Sequence, residues 1–295
     1  MVLVVGGGTM GAGIAEVLVR AGKRVVLCEV DGARAEAARD AVIRGLEREA
    51  KGAPEAKGAP EVKGPPVAKG PPVAKGLTAG EPSLLEVTVG VPDCPDAELA
   101  VEAVFEDPVH KKGVLAEIEA RVPATALIAS NTSSLSIGDL SGALRRPDRF
   151  LGMHFFNPVP RSALVELVRG PATDAAAVER AREWVHLLGK EEIVVHDAPG
   201  FATSRLGVAI GIEAIRMLEE QVASAEDIDR AMVLGYRFPI GPLRLTDLVG
   251  LDVRLAIAEH LERTLGKRFR PPQLLRDKVA NGELGKKTGR GFFTW

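Results

Sequence analysis

The sequence predicts an α/β fold: a mainly parallel, doubly wound sheet followed by an all-helical part. Three observations predict it. Apolar runs of strand length alternate with helix-period segments over residues 1–196. A glycine-rich turn separates the first apolar run from the first helical segment. Beyond Pro199 helical periodicity continues and no convincing strand-like run remains. The boundary falls near residues 197–199, giving units of 1–197 and 198–295 in a chain of 295 residues.

The elements follow in order. Residues 1–5 are apolar and end in glycines, which reads as a buried strand. Over 9–21, Met10, Ile14, Val17 and Leu18 share one helical face, and Gly22 ends it. Residues 24–30 form a second strand, and a helix runs from Asp31 or Gly32 to about residue 50. Strand, glycine turn, helix and strand make one right-handed βαβ unit. Further strands are expected at 84–89, 99–104, 126–130, 150–156, 164–168 and 193–196, with helices at 108–122 and 174–188. The second unit is expected to hold helices at 201–220, 225–234 and 251–265.

Residues 51–76 stand apart. KGAPEA, KGAPEV and two copies of KGPPVA repeat with a period of six. Six prolines and five glycines exclude regular helix or sheet. The segment reads as a solvated, extended insertion. The alternative is a polyproline II rail that lines Lys51, Lys57, Lys63, Lys69 and Lys75 along one side for an acidic ligand.

Composition narrows the function. Hydrophobic residues at 46% imply a packed core, and a net charge of -2 gives no support for a nucleic-acid or membrane-surface partner. Two cysteines, Cys28 and Cys94, allow neither a disulfide framework nor a zinc site, so no metal is expected and a reducing cytoplasm fits. The uncharged start lacks a basic n-region and a cleavage site, so it is not read as a signal peptide. No apolar run reaches ~18 residues, so no membrane span is expected. Only three Asn and two Gln are present, a mild sign of thermophily.

Gly6-Gly7-Gly8-Thr9-Met10-Gly11 fits the G-x-G-x-x-G fingerprint of a Rossmann-type dinucleotide-binding domain. Gly6 makes the tight turn, Gly8 lets a pyrophosphate approach the backbone, and Gly11 lets the helix pack close to the strand. The pyrophosphate is expected on the helix N-terminus, at Gly8, Thr9, Met10 and Gly11. Glu29, ending the second strand, is placed to accept both adenosine ribose hydroxyls and to repel a 2′-phosphate, favouring NAD over NADP. The fingerprint by itself does not choose between nicotinamide and flavin.

Two further sites carry polar chemistry. The loop Ser130-Asn131-Thr132-Ser133-Ser134 follows a strand, where doubly wound sheets bind ligands; part of it also reads as a cap for a helix at Ser136. His154 ends a strand, and Glu166 lies twelve residues on, inside the apolar run Leu164-Val165-Glu166-Leu167-Val168. A carboxylate there is costly unless paired, and an antiparallel return would set it beside His154. The pair reads either as a general base with Glu166 fixing the tautomer, or as a structural ion pair.

At these residues the chain resembles the L-3-hydroxyacyl-CoA dehydrogenases of fatty-acid β-oxidation and the bacterial 3-hydroxybutyryl-CoA dehydrogenases. The motifs are GGGTMGAGIA, VEAVFED, ASNTSSL, GMHFFNPVP, LVELV, PGFATSRL, GPLRLTDLVGLD and LGKKTGRGFFTW. They span nearly the whole chain except residues 51–76. The resemblance implies oxidation of L-3-hydroxyacyl-CoA to 3-ketoacyl-CoA with NAD. It makes His154 the base and Glu166 its orienting partner. Ser133 and Asn157 would hold substrate and nicotinamide, and Glu106 and Lys111 would contact NAD. It further implies a homodimer through the helical unit, whose terminal cluster Phe292, Phe293 and Trp295 adds apolar surface.

The chain departs from the family at two places. Ser204 stands where the family usually has Asn, keeping a hydroxyl with shorter reach at a substrate contact. The repeat replaces a helical arm that touches coenzyme A. Arg44, Arg48 and Lys51 still form a basic face, either a CoA-phosphate contact or a solvated surface. A dehydrogenase of a free hydroxy or sugar acid on the same fold is the competing enzyme class; HFFNPVP argues against it. A non-catalytic dinucleotide-binding protein would require a broken fingerprint or a lost base, and neither is broken here.

Overall fold

A computed structural model of the chain describes residues 1–50 and 80–295. The repeat at 51–76, Lys51 included, lies outside the described residues. The chain divides into two compact units, the second containing Pro199–Trp295.

The first unit is built on one eight-stranded sheet. In chain order its elements are β1 (Val2–Val5), α1 (Thr9–Arg20), β2 (Val25–Glu29), α2 (Gly32–Ala50), β3 (Leu85–Val89), β4 (Leu99–Glu102) and α3 (Pro108–Arg121). They continue with β5 (Leu127–Ser130), α4 (Ile137–Ser141), β6 (Phe150–Phe155), β7 (Leu164–Arg169), α5 (Ala175–Leu187) and β8 (Glu191–His196). Strand order is β3-β2-β1-β4-β5-β6-β7-β8. All pairings are parallel except β6 with β7.

β1, β4, β5 and β6 are buried along their whole length, as strands covered on both faces must be, and this explains why apolar residues dominate them, with Glu102, Ser130 and His154 the buried polar exceptions. Val2, Val4, Leu27, Leu99, Leu127 and Leu151 join Ile14, Val17 and Leu18 of α1 in one core. At the two sheet edges, β3 and β8 are mostly exposed or half-buried.

The chain order reverses between β1 and β4, so a crevice opens beyond their carboxyl ends. Register then sets the functional residues in a row. Val5 pairs with Glu102, Glu102 with Ser130, and Ser130 with Gly152.

The second unit holds α6 (Thr203–Glu219), α7 (Ala225–Arg230), α8 (Pro242–Val249), α9 (Leu251–Leu265) and α10 (Gln273–Ala280). Ile215, Leu243, Leu251, Leu275 and Phe293 form one core cluster, and Val208, Ile212, Ala258, Leu261 and Phe269 another. Asp247, almost fully buried, accepts bonds from Phe292 N, Phe293 N and Trp295 Nε1 at 2.8–2.9 Å. The terminal aromatic cluster is therefore packed largely within its own chain, with Trp295 partly exposed.

Two details differ from the sequence reading. The helix expected over 225–234 closes at Arg230 and widens into a π-helical turn over Ala231–Gly235. α8 and α10 are additional helices; at eight residues each they are too short to show a helical period. α4 is the helix expected at Ser136, whose Oγ accepts from Asp139 N. Among the described residues no helix is long and apolar enough to cross a membrane.

Candidate active site

The glycine turn is a place where side chains do not fit. Gly6 has φ +98, and a Cβ there would lie 2.8 Å from the Ala103 backbone. A Cβ on Gly11 would lie 1.7 Å from the Gly6 carbonyl oxygen. Gly8 differs: a Cβ there would meet nothing within 4 Å. It begins α1 in extended conformation without a side-chain cap, and no acidic residue occupies the first turn with Thr9 and Met10. The N–H groups and dipole of that turn thus lie at an exposed helix start that carries no acidic residue of its own.

Glu29 closes the turn from β2. Its Oε1 accepts from Gly7 N at 2.7 Å and its Oε2 from Val30 N at 3.1 Å. A carboxylate has about four acceptor positions, so capacity remains for hydroxyl donors.

A charged network lies beyond β4 and β5. Glu102 and Lys111 are both fully buried, with Nζ to Oε1 at 2.7 Å. Glu102 also accepts from Ser130 Oγ at 2.5 Å and Val104 N at 2.7 Å. Lys111 donates in addition to the Val104 carbonyl and sits 3.4 Å from Glu106 Oε2. The other Glu106 oxygen accepts from Thr132 Oγ1 at 2.6 Å and Ser133 N at 2.9 Å, with Ser134 N at 3.3 Å. Asp107 caps α3 through His110 N, and Pro108 starts the helix, which aims Lys111 back toward β4.

His154 and Glu166 are directly opposed in the antiparallel β6–β7 pair, and both are buried. Nδ1 of His154 is 3.0 Å from Glu166 Oε2. With Nδ1 donating to the carboxylate, the lone pair of the neutral ring is on Nε2. The Phe156 ring lies 4.4 Å from the imidazole, centroid to centroid. Asn131 ties this strand end to the neighbouring loop, its Oδ1 accepting from Phe155 N at 2.9 Å.

Two family models match the chain. That of the 3-hydroxyacyl-CoA dehydrogenase NAD binding domain covers residues 1–198. That of the 3-hydroxyacyl-CoA dehydrogenase C-terminal domain covers residues 200–295. The chain belongs to the 3-hydroxyacyl-CoA dehydrogenase family.

This family member is 41% identical to a 3-hydroxybutyryl-CoA dehydrogenase of Mycobacterium tuberculosis, over 99% of this chain and 97% of that protein. It is 38% identical to the mitochondrial hydroxyacyl-coenzyme A dehydrogenase of Sus scrofa, over 100% of this chain and 90% of that one. The crystal structure of (S)-3-hydroxybutyryl-CoA dehydrogenase from Ralstonia eutropha superposes with a TM-score of 0.86 at 37% identity, covering 100% of this chain and 98% of that one. The dehydrogenase is an oxidoreductase acting on CH–OH groups, with NAD as its cofactor. The residues present fit NAD: the exposed, uncapped helix start at Gly8 suits a pyrophosphate, and Glu29 suits ribose hydroxyls.

The remaining sequence-read residues are placed as follows. Asn157 is exposed just beyond β6, before a cis peptide to Pro158. Ser133 is half-buried. Ser204 lies in the first turn of α6, in the second unit. Arg48 is exposed on α2, its Nε donating to the Arg44 carbonyl, and Arg44 pairs with Asp40 at 3.6 Å.

Three residues of this region escape the sequence reading. Glu102 carries a signal related to that of Glu166, an acid in an apolar strand: Glu102 ends β4, whereas Glu166 lies inside β7. Asn131 sits within the polar loop without a distinguishing mark. Lys190 follows α5 and is buried, its Nζ donating to the carbonyls of Val159, at 2.6 Å, and of Ser162. It fastens the loop that leaves Asn157, and no sequence signal marks it.

Proposed function

We propose that the chain oxidises L-3-hydroxyacyl-CoA to 3-ketoacyl-CoA with NAD, using His154 as general base and Glu166 as its orienting partner. The observation that carries this reading is the buried 3.0 Å contact between His154 Nδ1 and Glu166 Oε2. A buried carboxylate is costly on its own, and here it is placed where it fixes one imidazole tautomer.

When bound, NAD supplies the acceptor for the hydride that leaves C3. His154 Nε2 takes the proton of the 3-hydroxyl, and the O–H bonding pair becomes the second C–O bond of the ketone. Glu166, anionic, stabilises the imidazolium that forms. Burial of the dyad keeps water from diluting that charge interaction. Ser133 and Asn157 hold the reacting oxygen and the nicotinamide ring, Glu106 and Lys111 serve the cofactor side, and Ser204 serves the substrate. Arg48 and Lys51 meet the phosphates of coenzyme A.

The working molecule is a homodimer formed through the helical unit, in the cytoplasm. Exposed Leu206, Leu248 and Val253 on α6, α8 and α9 support the first statement, and two buried free thiols are consistent with the second.

The test is NADH formation from L-3-hydroxybutyryl-CoA compared with free 3-hydroxybutyrate. Turnover of the thioester with little or none of the free acid is expected. Equal turnover of the free acid overturns the CoA assignment.

A further inference from the structure

The ion pair of Glu102 and Lys111 is fully buried, nine residues apart in sequence, and neither side chain reaches solvent. Such a pair is poor evidence for stability, because desolvation offsets most of its attraction. Its connections suggest another use. Four separate segments meet at these two residues: the end of β4, the end of β5 through Ser130 Oγ, the start of α3, and the turn at Val104.

Lys111 also faces a second carboxylate. Its Nζ is 2.7 Å from Glu102 but 3.4 Å from Glu106, so the charge leans toward Glu102. Glu106 is 38% exposed in its side chain and gathers Thr132 Oγ1, Ser133 N and Ser134 N on its other oxygen. A lysine held by Glu102 anchors Glu106 without drawing it inward. Without the Glu102 charge, the ammonium would turn to Glu106 as its sole carboxylate and pull it away from the Ser133 turn.

We propose that Glu102 is a positioning residue: it fixes Lys111, Lys111 fixes Glu106, and Glu106 sets the backbone of Ser133. This assigns Lys111 an indirect role toward the cofactor, consistent with an ammonium that is fully buried. The proposal rests on the reading above that Ser133 and Glu106 face cofactor and substrate. A misplacement on the order of 1 Å at such a group costs about 100-fold in rate.

The test uses the full-length enzyme and reads NADH affinity by fluorescence, kcat, and thermal midpoint. Glu102→Gln keeps the acceptor for Val104 N and removes the charge. Because that variant leaves the buried ammonium with Glu106, at 3.4 Å, as its one carboxylate, the pair Glu102→Gln with Lys111→Met is made alongside it and buries no charge at either position. Both are expected to lower kcat by about 10- to 100-fold and to weaken NADH binding. Glu102→Asp keeps the charge; its kinetics should stay nearer wild type even where its thermal midpoint falls. Glu102→Gln combined with Glu106→Gln should be no worse than the worse single change. NADH affinity and kcat within twofold of wild type in the folded Glu102→Gln, Lys111→Met protein would overturn the proposal. So would Glu102→Asp kinetics that match those of Glu102→Gln, or losses at 102 and 106 that multiply. NADH binding is independent of the hydroxyacyl substrate. A wild-type enzyme that binds NADH but ignores 3-hydroxybutyryl-CoA would refute the proposed substrate and leave this test intact.

Discussion

His154 and Glu166 occupy one rung of an antiparallel strand pair, so the backbone ladder, rather than a loop, fixes the 3.0 Å contact between imidazole and carboxylate. His154→Gln should retain NADH binding, since the glycine turn lies elsewhere, and lower kcat by ~10²–10⁴. Glu166→Gln should also lower kcat, by withdrawing the charge that stabilises the imidazolium. The double variant should be little worse than His154→Gln alone, as residues acting in one unit are not additive. Independent multiplication of the two losses would make Glu166 a structural charge only.

Glu29 has two jobs in this geometry, and they separate by mutation. Its carboxylate repels a 2′-phosphate, so catalytic efficiency with NAD should exceed that with NADP by at least ~100-fold, as a like-charge contact costs several kcal/mol. Glu29→Gln still accepts from Gly7 N but should narrow that gap. Glu29→Ala should additionally weaken NAD binding, since the turn loses its 2.7 Å tie. Comparable efficiency of wild type with the two cofactors would remove Glu29 as the discriminator.

Gly11→Ala tests the close approach of α1 to the turn. A Cβ 1.7 Å from a backbone oxygen forces the helix start away from Gly6. A lowered thermal midpoint and NADH affinity weakened at least tenfold are expected, the latter because the uncapped N–H groups move with the helix. Unchanged affinity in a calorimetric titration would show that the turn adapts.

Lys190 should leave a mark on stability at alkaline pH. Burial, with a smaller contribution from Arg20, pushes its ammonium down to about 8 from its ordinary 10.5. Between those two values the unfolded chain holds a proton that the folded protein has released, so stability rises with pH across that window. Below about 8 the cost of burying the charge is at its full value. Urea unfolding at pH 8 and pH 10 should show wild type gaining on Lys190→Met. A constant difference between the two proteins would mean that Lys190 titrates as an ordinary lysine.

The dimer is checked by sedimentation at micromolar concentration. Twice the chain mass is expected, and Leu248→Glu together with Val253→Glu should shift it toward monomer, since charges on an apolar interface are left without partners. A monomeric wild type would refute the homodimer.

Much of this is legible in the sequence itself. The glycine turn, the alternation of strands with helices and the loss of strands beyond Pro199 are local signals, and the sheet follows them. The dyad was legible because an acid inside Leu164–Arg169 needs a partner, and twelve residues suit a strand return. Glu102 presented the same oddity yet stayed unread, since its partner Lys111 sits on a helix, and only the packing of α3 on β4 brings them together. Lys190 was invisible for a related reason. Its acceptors are main-chain carbonyls, which carry no residue identity. The short helices α8 and α10 escaped because two turns hold too few apolar positions to reveal a period.

The proposed base, its orienting carboxylate and the glycine turn all belong to the first unit, fixed by a single sheet. The proposed chemistry is therefore carried by one folding unit, and changes confined to Pro199–Trp295 leave the base, its carboxylate and the glycine turn built as they are.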